Sequence, residues 1–336
     1  MTLATIVITG VAGFLGSSLA EYCIDNGHNV VGFDNLSRGS KSNLNDIIDK
    51  NQFRFVELDL TDQEQLETNF PEADVCFHLA AINGTVFFHE RALDVISSNI
   101  GMTMNVLRLC MQTSTRLVFS SSPEAFGLVE SMPLEDYNES KFPAAEDHQR
   151  FSYGATKYVE ELAMHYGARQ SLDVRIVRPF NVYGPRLRGK KDGQVIGRFL
   201  SQLLSNEPLE LHYEGKHTRS FTYIDDAIEG IYKAGLLDVS YLDGQPLSGM
   251  SFNIGSDQEH QMIDVAELLI SLCQSEHIPL PEKPMILVES GYPGDSTRRS
   301  CQPQAAREHL HWEPKTTLKD GLVLMIQEVR RQSSLS

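Results

Sequence analysis

With 336 residues, 41% hydrophobic and 22% charged, the chain has the make-up of a globular protein with one large core or two domains, which excludes a disordered one. A formal net charge of −16 would repel a phosphate backbone, so nucleic acid is not expected as a partner, and any acidic ligand must be held by local groups. The opening MTLATIVITG carries no basic leader and no apolar run approaches the roughly 20 residues that cross a bilayer, so a cytoplasmic protein without a membrane partner is expected.

Short apolar runs at 5–9, 29–33, 53–58, 75–79, 117–120 and 174–177 read as strands, with helix-length segments between most of them. The runs are continuously apolar rather than alternating, which is the pattern of strands covered on both faces. Strand, helix, strand repetition predicts an α/β fold with a doubly wound parallel sheet and right-handed crossovers. Beyond residue 178 the pattern breaks into Gly/Pro-punctuated pieces such as SNEPLELHYEGKHTRS and LDGQPLSGM. A first domain over 1–178 and a smaller mixed domain over 179–336 are therefore expected, with 219–236 returning to the first.

The stretch TIVITGVAGFLGSSLAEYCIDNGHNVVGFDN sets Gly10, Gly13 and Gly16 between a strand and a helix. Glycines so placed give a tight turn, close backbone approach to a pyrophosphate and close helix-on-strand packing, with the positive helix end facing the phosphates. Asp34, at the end of the second strand, can accept both hydroxyls of an adenosine ribose and would repel a 2′-phosphate, so NAD is the expected cofactor. Arg38 and Lys41 follow closely and read as solvated loop charges.

Further along, FSYGATKYVEELAMHYGARQ sets Tyr153 and Lys157 four apart, on one face if the segment is helical. An ammonium near a phenol lowers its pKa and makes it a usable base. The apolar run ending at Ser120 would deliver Ser121 and Ser122 to the crevice at the strand ends. Ser122 could then share a hydrogen bond with a sugar hydroxyl and the Tyr153 oxygen, while Ser121 reads as a strand-end cap. His78 lies within a strand pattern and reads as a packed, hydrogen-bonded side chain. Five scattered cysteines, Cys23, Cys76, Cys110, Cys273 and Cys301, form no CxxC pair, so neither disulfides nor a metal site is expected.

Taken with ELDLTD, FHLAA, RPFNVYGPR, HTRSFTYIDD, FNIGS and HWEP, these motifs resemble the extended short-chain dehydrogenase/reductases of the NAD-dependent nucleotide-sugar epimerase/dehydratase group over essentially the whole chain. The resemblance implies a Rossmann domain and a substrate domain. It implies that Tyr153 takes the proton of the sugar 4-hydroxyl, that Lys157 holds the nicotinamide ribose, and that Ser122 orients the hydroxyl. It adds Phe14, Leu15, Asn35, Asp59, Leu60, Ala80, Ala81 and Asn99 as cofactor contacts and Asn181 as a substrate contact. It also implies a homodimer through 99–111 and 153–170. Arg219 and Arg299 are candidates for the diphosphate, since a guanidinium fork suits it. The basic loop Arg186, Arg188, Lys190 and Lys191 either joins them or is solvated.

Glu124 bears on the reaction class. Once C4 is a ketone the C5 proton is acidic, and a carboxylate two residues past Ser122 is placed to remove it. The 4,6-dehydratases and uronate decarboxylases resemble this chain in having a glutamate there. Pro123 stands where dehydratases that use an Asp-Glu pair carry a proton-donating aspartate and where other dehydratases and the decarboxylases carry serine, so it departs from both patterns. The segments GPRLRGKKDGQVIGRF and TRRS are similar to the uronate decarboxylases, and Tyr292 stands where many 4-epimerases carry arginine. Chemistry at C5 or C6 is expected, with Glu124 catalytic. The alternatives are a 4-epimerase, in which Glu124 only binds a hydroxyl, a reductase consuming external NADPH, against which Asp34 argues, and a non-catalytic dinucleotide sensor, against which the Tyr153–Lys157 pair argues.

Overall fold

Seven parallel strands form the centre of the molecule. The computed structural model describes residues 3–146, 149–187, 189, 193–291 and 294–334. In chain order it runs β1 (Thr5–Thr9), α1 (Phe14–Asp25), β2 (Asn29–Asp34), β3 (Phe53–Glu57), α2 (Gln63–Asn69), β4 (Val75–His78), α3 (Thr85–Glu90), α4 (Ala92–Thr113), β5 (Arg116–Ser120), α5 (Ser152–Arg169), β6 (Val174–Pro179), α6 (Val195–Leu204) and α7 (Ile224–Leu236). The seventh strand, Ser251–Ile254, was not expected from the sequence. The sheet order is Ser251–Ile254, β6, β5, β4, β1, β2, β3, every pair parallel.

The inner strands read as doubly covered are so, whereas β3, at the edge of the sheet, leaves Arg54 and Glu57 exposed. Ile6, Val7 and Ile8 are all 0% exposed, and each such side chain contributes roughly 1.5–3 kcal/mol by leaving water. On one face α1 and α7 lie side by side, with Tyr22 and Tyr232 edge to face at 5.0 Å. Helix α7 comes so close to the sheet that a Cβ on Gly235 would lie 2.3 Å from the Phe77 ring. The segment 219–236 thus delivers a helix to the central sheet, and Ser251–Ile254 delivers a strand to its edge beside β6.

The rest of the second half carries strands of only two to four residues. Leu209–His212 pairs with Met285–Val288, and Thr218–Ser220 lies between Glu259–Gln261 and Arg298–Arg299. In the last pairing Arg219 and Arg299 are direct register partners, so their side chains leave adjacent strands together. The order of the central sheet reverses between β1 and β4, and a crevice opens at their carboxyl ends. None of the helices among the described residues is long and apolar enough to cross a membrane.

Candidate active site

The glycine turn is built by close contacts that no other residue allows. Gly10 has φ +72°, and a Cβ there would lie 2.9 Å from the Ala80 backbone. A Cβ on Gly16 would lie 2.1 Å from the Gly10 carbonyl oxygen. The amide of Gly10 donates to the Phe33 carbonyl at 2.7 Å, which ties the turn to the end of β2. There Asp34 accepts from the amides of Ala12 at 3.0 Å and Leu36 at 2.7 Å. Burial raises its pKa against those two bonds. Next to it Asn35 donates to Asp59 at 2.9 Å, and Thr61 donates to the same carboxylate from amide and hydroxyl. Burial alone would raise Asp59, but these bonds hold it below the usual carboxylate range.

A cavity of ≈ 730 Å³ runs from this turn into the second half of the chain. Its wall includes Gly10, Gly13, Phe14, Leu15, Gly16, Asp34, Asn35, Asp59, Leu60, Ala80 and Ala81 at one end, and Ser122, Glu124, Tyr153, Asn181, Arg219 and Arg299 at the other. A turn with glycines at 10, 13 and 16 beside a carboxylate fixed by backbone amides fits NAD. The cradle admits a pyrophosphate, and the acceptor set suits ribose hydroxyls and repels an added phosphate.

Two expected cofactor contacts sit behind that wall. Asn99 is 1% exposed; it accepts from the Ile82 amide at 2.7 Å and donates to the Ile82 carbonyl at 3.0 Å, so it pins the loop after β4. Lys157, also 1% exposed, pairs with Glu160 at 3.0 Å and lies 4.5 Å from the centre of the Phe119 ring. His78 is buried as expected, between the Thr9 hydroxyl at 2.7 Å and that of Thr103 at 3.1 Å. Burial and then the Lys157 charge lower it to about 3, so it is neutral.

The reacting end is assembled by a turn and a helix start. Strand β5 stops at Ser120, and Pro123 opens a one-turn 3₁₀ segment capped by Ser122, whose hydroxyl accepts from the Glu124 amide at 3.2 Å. Helix α5 begins directly on this turn, where a Cβ on Gly154 would lie 2.4 Å from the Glu124 carbonyl oxygen. That contact brings Tyr153 to Ser122, whose hydroxyl hydrogen-bonds to the phenol. The Tyr153 ring stacks on Phe88, centroids 4.9 Å apart and planes 7° apart. Burial, then the charges of Glu160 and Glu124, push the phenol above its ordinary pKa against the Ser122 bond and Arg38. Ser121 donates to Glu161, which Arg178 holds with two bonds of 2.7 Å, in keeping with a structural cap.

Glu124 stands in a cluster that the sequence did not reveal. Arg150 grips its carboxylate with both terminal nitrogens, at 3.1 and 3.2 Å, and Arg299 pairs with the same group. Asp295 lies 3.5 Å from Arg150 and 3.2 Å from Arg219, with His217 at 3.8 Å. Burial would raise the Glu124 carboxyl, but the charges of Arg299 and Arg150 outweigh it and hold it well below the usual carboxylate range. A carboxylate held so is a poor base, which departs from the expected proton abstraction at C5. Arg219 and Arg299 likewise lie with these carboxylates on the cavity wall. Arg150 was missed, although its place three residues before Tyr153 was the one available signal. Of the basic loop, Arg186 pairs with Glu21 at 2.6 Å and Asp46 at 3.3 Å; Arg188, Lys190 and Lys191, like Tyr292, lie outside the described residues.

Comparison with known proteins agrees with this geometry. The chain is 32% identical over 329 residues to UDP-glucuronic acid decarboxylase 6 of Arabidopsis thaliana, covering 97% of this chain and 88% of that one. It is 31% identical over 331 residues to a UDP-N-acetyl-alpha-D-glucosaminuronate decarboxylase of Bacillus cytotoxicus, covering 96% and 97%. It superposes with TM-score 0.82 and 25% identity, over 98% and 99% of the two chains, on a mutant UDP-glucuronic acid 4-epimerase from Bacillus cereus in complex with UDP-4-deoxy-4-fluoro-glucuronic acid and NAD. The model of the NAD dependent epimerase/dehydratase family matches residues 6–255, and with the dinucleotide cradle and the Ser122–Tyr153 pair in place the chain belongs to that NAD-dependent family.

Proposed function

We propose that the protein decarboxylates a nucleotide-diphosphate uronic acid through a 4-keto intermediate. The observation that carries this reading is the charge balance beside Tyr153, where, among the described residues, Arg150, Arg219 and Arg299 pair only with the carboxylates of Glu124 and Asp295. The unmatched positive charge suits a sugar carboxylate. The Nε of Arg150 and of Arg299 are buried donors with no acceptor among the described residues. The two decarboxylases of similar sequence support the same choice.

The chemistry follows from the groups present. Ser122 orients the C4 hydroxyl, and Tyr153 Oη takes its proton. Bound NAD supplies the redox chemistry that makes C4 a ketone and later restores the hydroxyl. With a ketone at C4, a C6 carboxylate belongs to a β-keto acid: the C5–C6 bond breaks, carbon dioxide leaves, and the electron pair moves to the C4 oxygen. Ser122 and Tyr153 hydrogen-bond that oxygen as its charge grows, and a proton taken up at C5 completes the product. No base is needed at C5, which agrees with a Glu124 held as an anion by two arginines. Dehydration needs such a base and an acid at the 6-hydroxyl, where Pro123 has no proton to give. Glu124 then orients Arg150 and Arg299.

The experiment is calorimetry on the Tyr153→Phe variant, which binds without turnover. A nucleotide uronate should bind at least about tenfold tighter than its neutral hexose counterpart, and adding Arg299→Met should erase the preference. Equal affinities before that substitution would contradict the reading and favour the 4-epimerase.

The same reading assigns residues 1–178 to NAD and 179–336 to the nucleotide sugar, with α7 and Ser251–Ile254 returned to the sheet. It includes a homodimer through α4 and α5, whose Leu93, Leu162 and Tyr166 are 76%, 51% and 52% exposed. Light scattering should give twice the chain mass, and a monomeric mass would remove this part. A cytoplasmic location suits five buried free cysteines, and cell fractionation tests it.

A further inference from the structure

Lys157 and Tyr153 are joined by a third ionisable group on the same helix. Glu160 follows Lys157 by three residues on α5 and is 0% exposed. Its Oε2 lies 3.0 Å from the Lys157 ammonium and accepts no hydrogen bond from any other group among the described residues. Its Oε1 accepts from the Thr103 hydroxyl at 2.7 Å. Having spent its proton there, Thr103 accepts from His78 Nε2 at 3.1 Å. A neutral His78 protonated on Nε2 must accept at Nδ1, and the Thr9 hydroxyl donates to it at 2.7 Å. Thr9 Oγ1 in turn accepts from the Ala80 amide at 3.3 Å, at the cavity wall. Every donor in this line has one direction, and that direction requires an acceptor at Glu160.

We propose that Glu160 is a positioning residue that acts through Lys157: it draws the ammonium off the cavity wall and cancels its charge, so that Tyr153 in the free protein is not activated by a lone lysine. The inference rests on the reading of Tyr153 as the proton acceptor. The Lys157 ammonium lies 5.8 Å from the centre of the Tyr153 ring, near enough for an uncancelled charge to stabilise phenolate. The other charged or titratable groups that bear on the pair are few. Ser122 and Glu124 act from the turn after β5, Arg38 from the loop after β2, and His78 from β4. Arg150 lies 5.4 Å from the centre of the Phe88 ring on which Tyr153 stacks. Glu124, the one carboxylate among them, is matched by arginines, which leaves Glu160 to oppose Lys157.

The test uses the full chain with difluorotyrosine at position 153, whose phenol titrates in an accessible range, read by fluorine NMR. Glu160→Gln keeps an oxygen for Thr103 and removes the charge. Its phenol should titrate at least about one unit lower than in the parent, Glu160→Asp should restore most of the difference, and the lower limb of the pH–rate profile should move with it. A resonance in Glu160→Gln that titrates where the parent does overturns the proposal. A resonance that moves while the pH–rate profile does not instead removes Tyr153 as the proton acceptor and leaves the electrostatic inference intact. Should the single variant fail to fold around an unpaired buried ammonium, the double variant Lys157→Met with Glu160→Gln carries neither charge. Its phenol is expected within about half a unit of the parent, and a rise of more than about one unit overturns the proposal.

Discussion

Replacing Tyr153 with Phe lowers turnover by at least about 10²- to 10⁴-fold, the range typical for loss of a positioned acid–base group, and leaves NAD bound. The substitution removes one hydroxyl, whose hydrogen-bond partner is Ser122. The ring keeps its stack on Phe88 and its buried place on α5, so the fold and the distant glycine cradle are untouched. The check has two parts, single-turnover kinetics and the cofactor content of the purified variant. Turnover within about threefold of the parent would remove Tyr153 from the chemistry, because every other effect of the substitution is small.

The second large effect is expected at Gly16. A methyl group in Gly16→Ala would lie 2.1 Å from the Gly10 carbonyl oxygen and 2.8 Å from the Val11 Cα, both backbone, so α1 must move away from the turn. Strain of this kind costs about 1–3 kcal/mol or more, and it also opens the cradle in which the pyrophosphate would sit. The variant should melt several degrees lower than the parent and hold less NAD after incubation with it, read by thermal unfolding and by absorbance of the denatured extract. Full retention of NAD would mean that the helix start does not hold the phosphates.

How much of this could be read from the residues follows from distance along the chain. The six strands, the glycine turn and Asp34 were legible because each is a local pattern: a short, mostly apolar run, or glycines at fixed offsets between a strand and a helix. Ser251–Ile254 was not, since SFNI carries a serine and an asparagine, both buried. The Asn253 amide donates to Asp136 and its side-chain nitrogen to the Leu134 carbonyl, both more than a hundred residues away. The strands of two to four residues after β6 give periodicity too little length to show.

Within the site, Ser122 and Tyr153 were readable in place, because a strand end and a helix start each announce themselves. The partners of Glu124 were not. Arg150 lies on the segment leading into α5 and Arg299 on a two-residue strand, and only the tertiary fold brings them to one carboxylate. Lys157 was read correctly on the Tyr153 face of α5. Glu160, one turn further on, carries no signal of its own in the sequence, and only the structure shows it buried beside Thr103 of α4. Sequence spacing reports which face a side chain leaves, and long-range packing decides whether that face meets water.

The central claim is the loss of carbon dioxide from a uronate, and the most direct measurement is mass spectrometry of the nucleotide sugar after incubation of the purified protein with NAD and UDP-glucuronate, beside UDP-glucose, UDP-N-acetylglucosamine, GDP-mannose and dTDP-glucose. The account predicts a product lighter by one carbon dioxide from the uronate and no loss of water from any of the neutral sugars. A uronate whose mass is unchanged while its sugar configuration alters by NMR, or a neutral sugar that loses water, would contradict it.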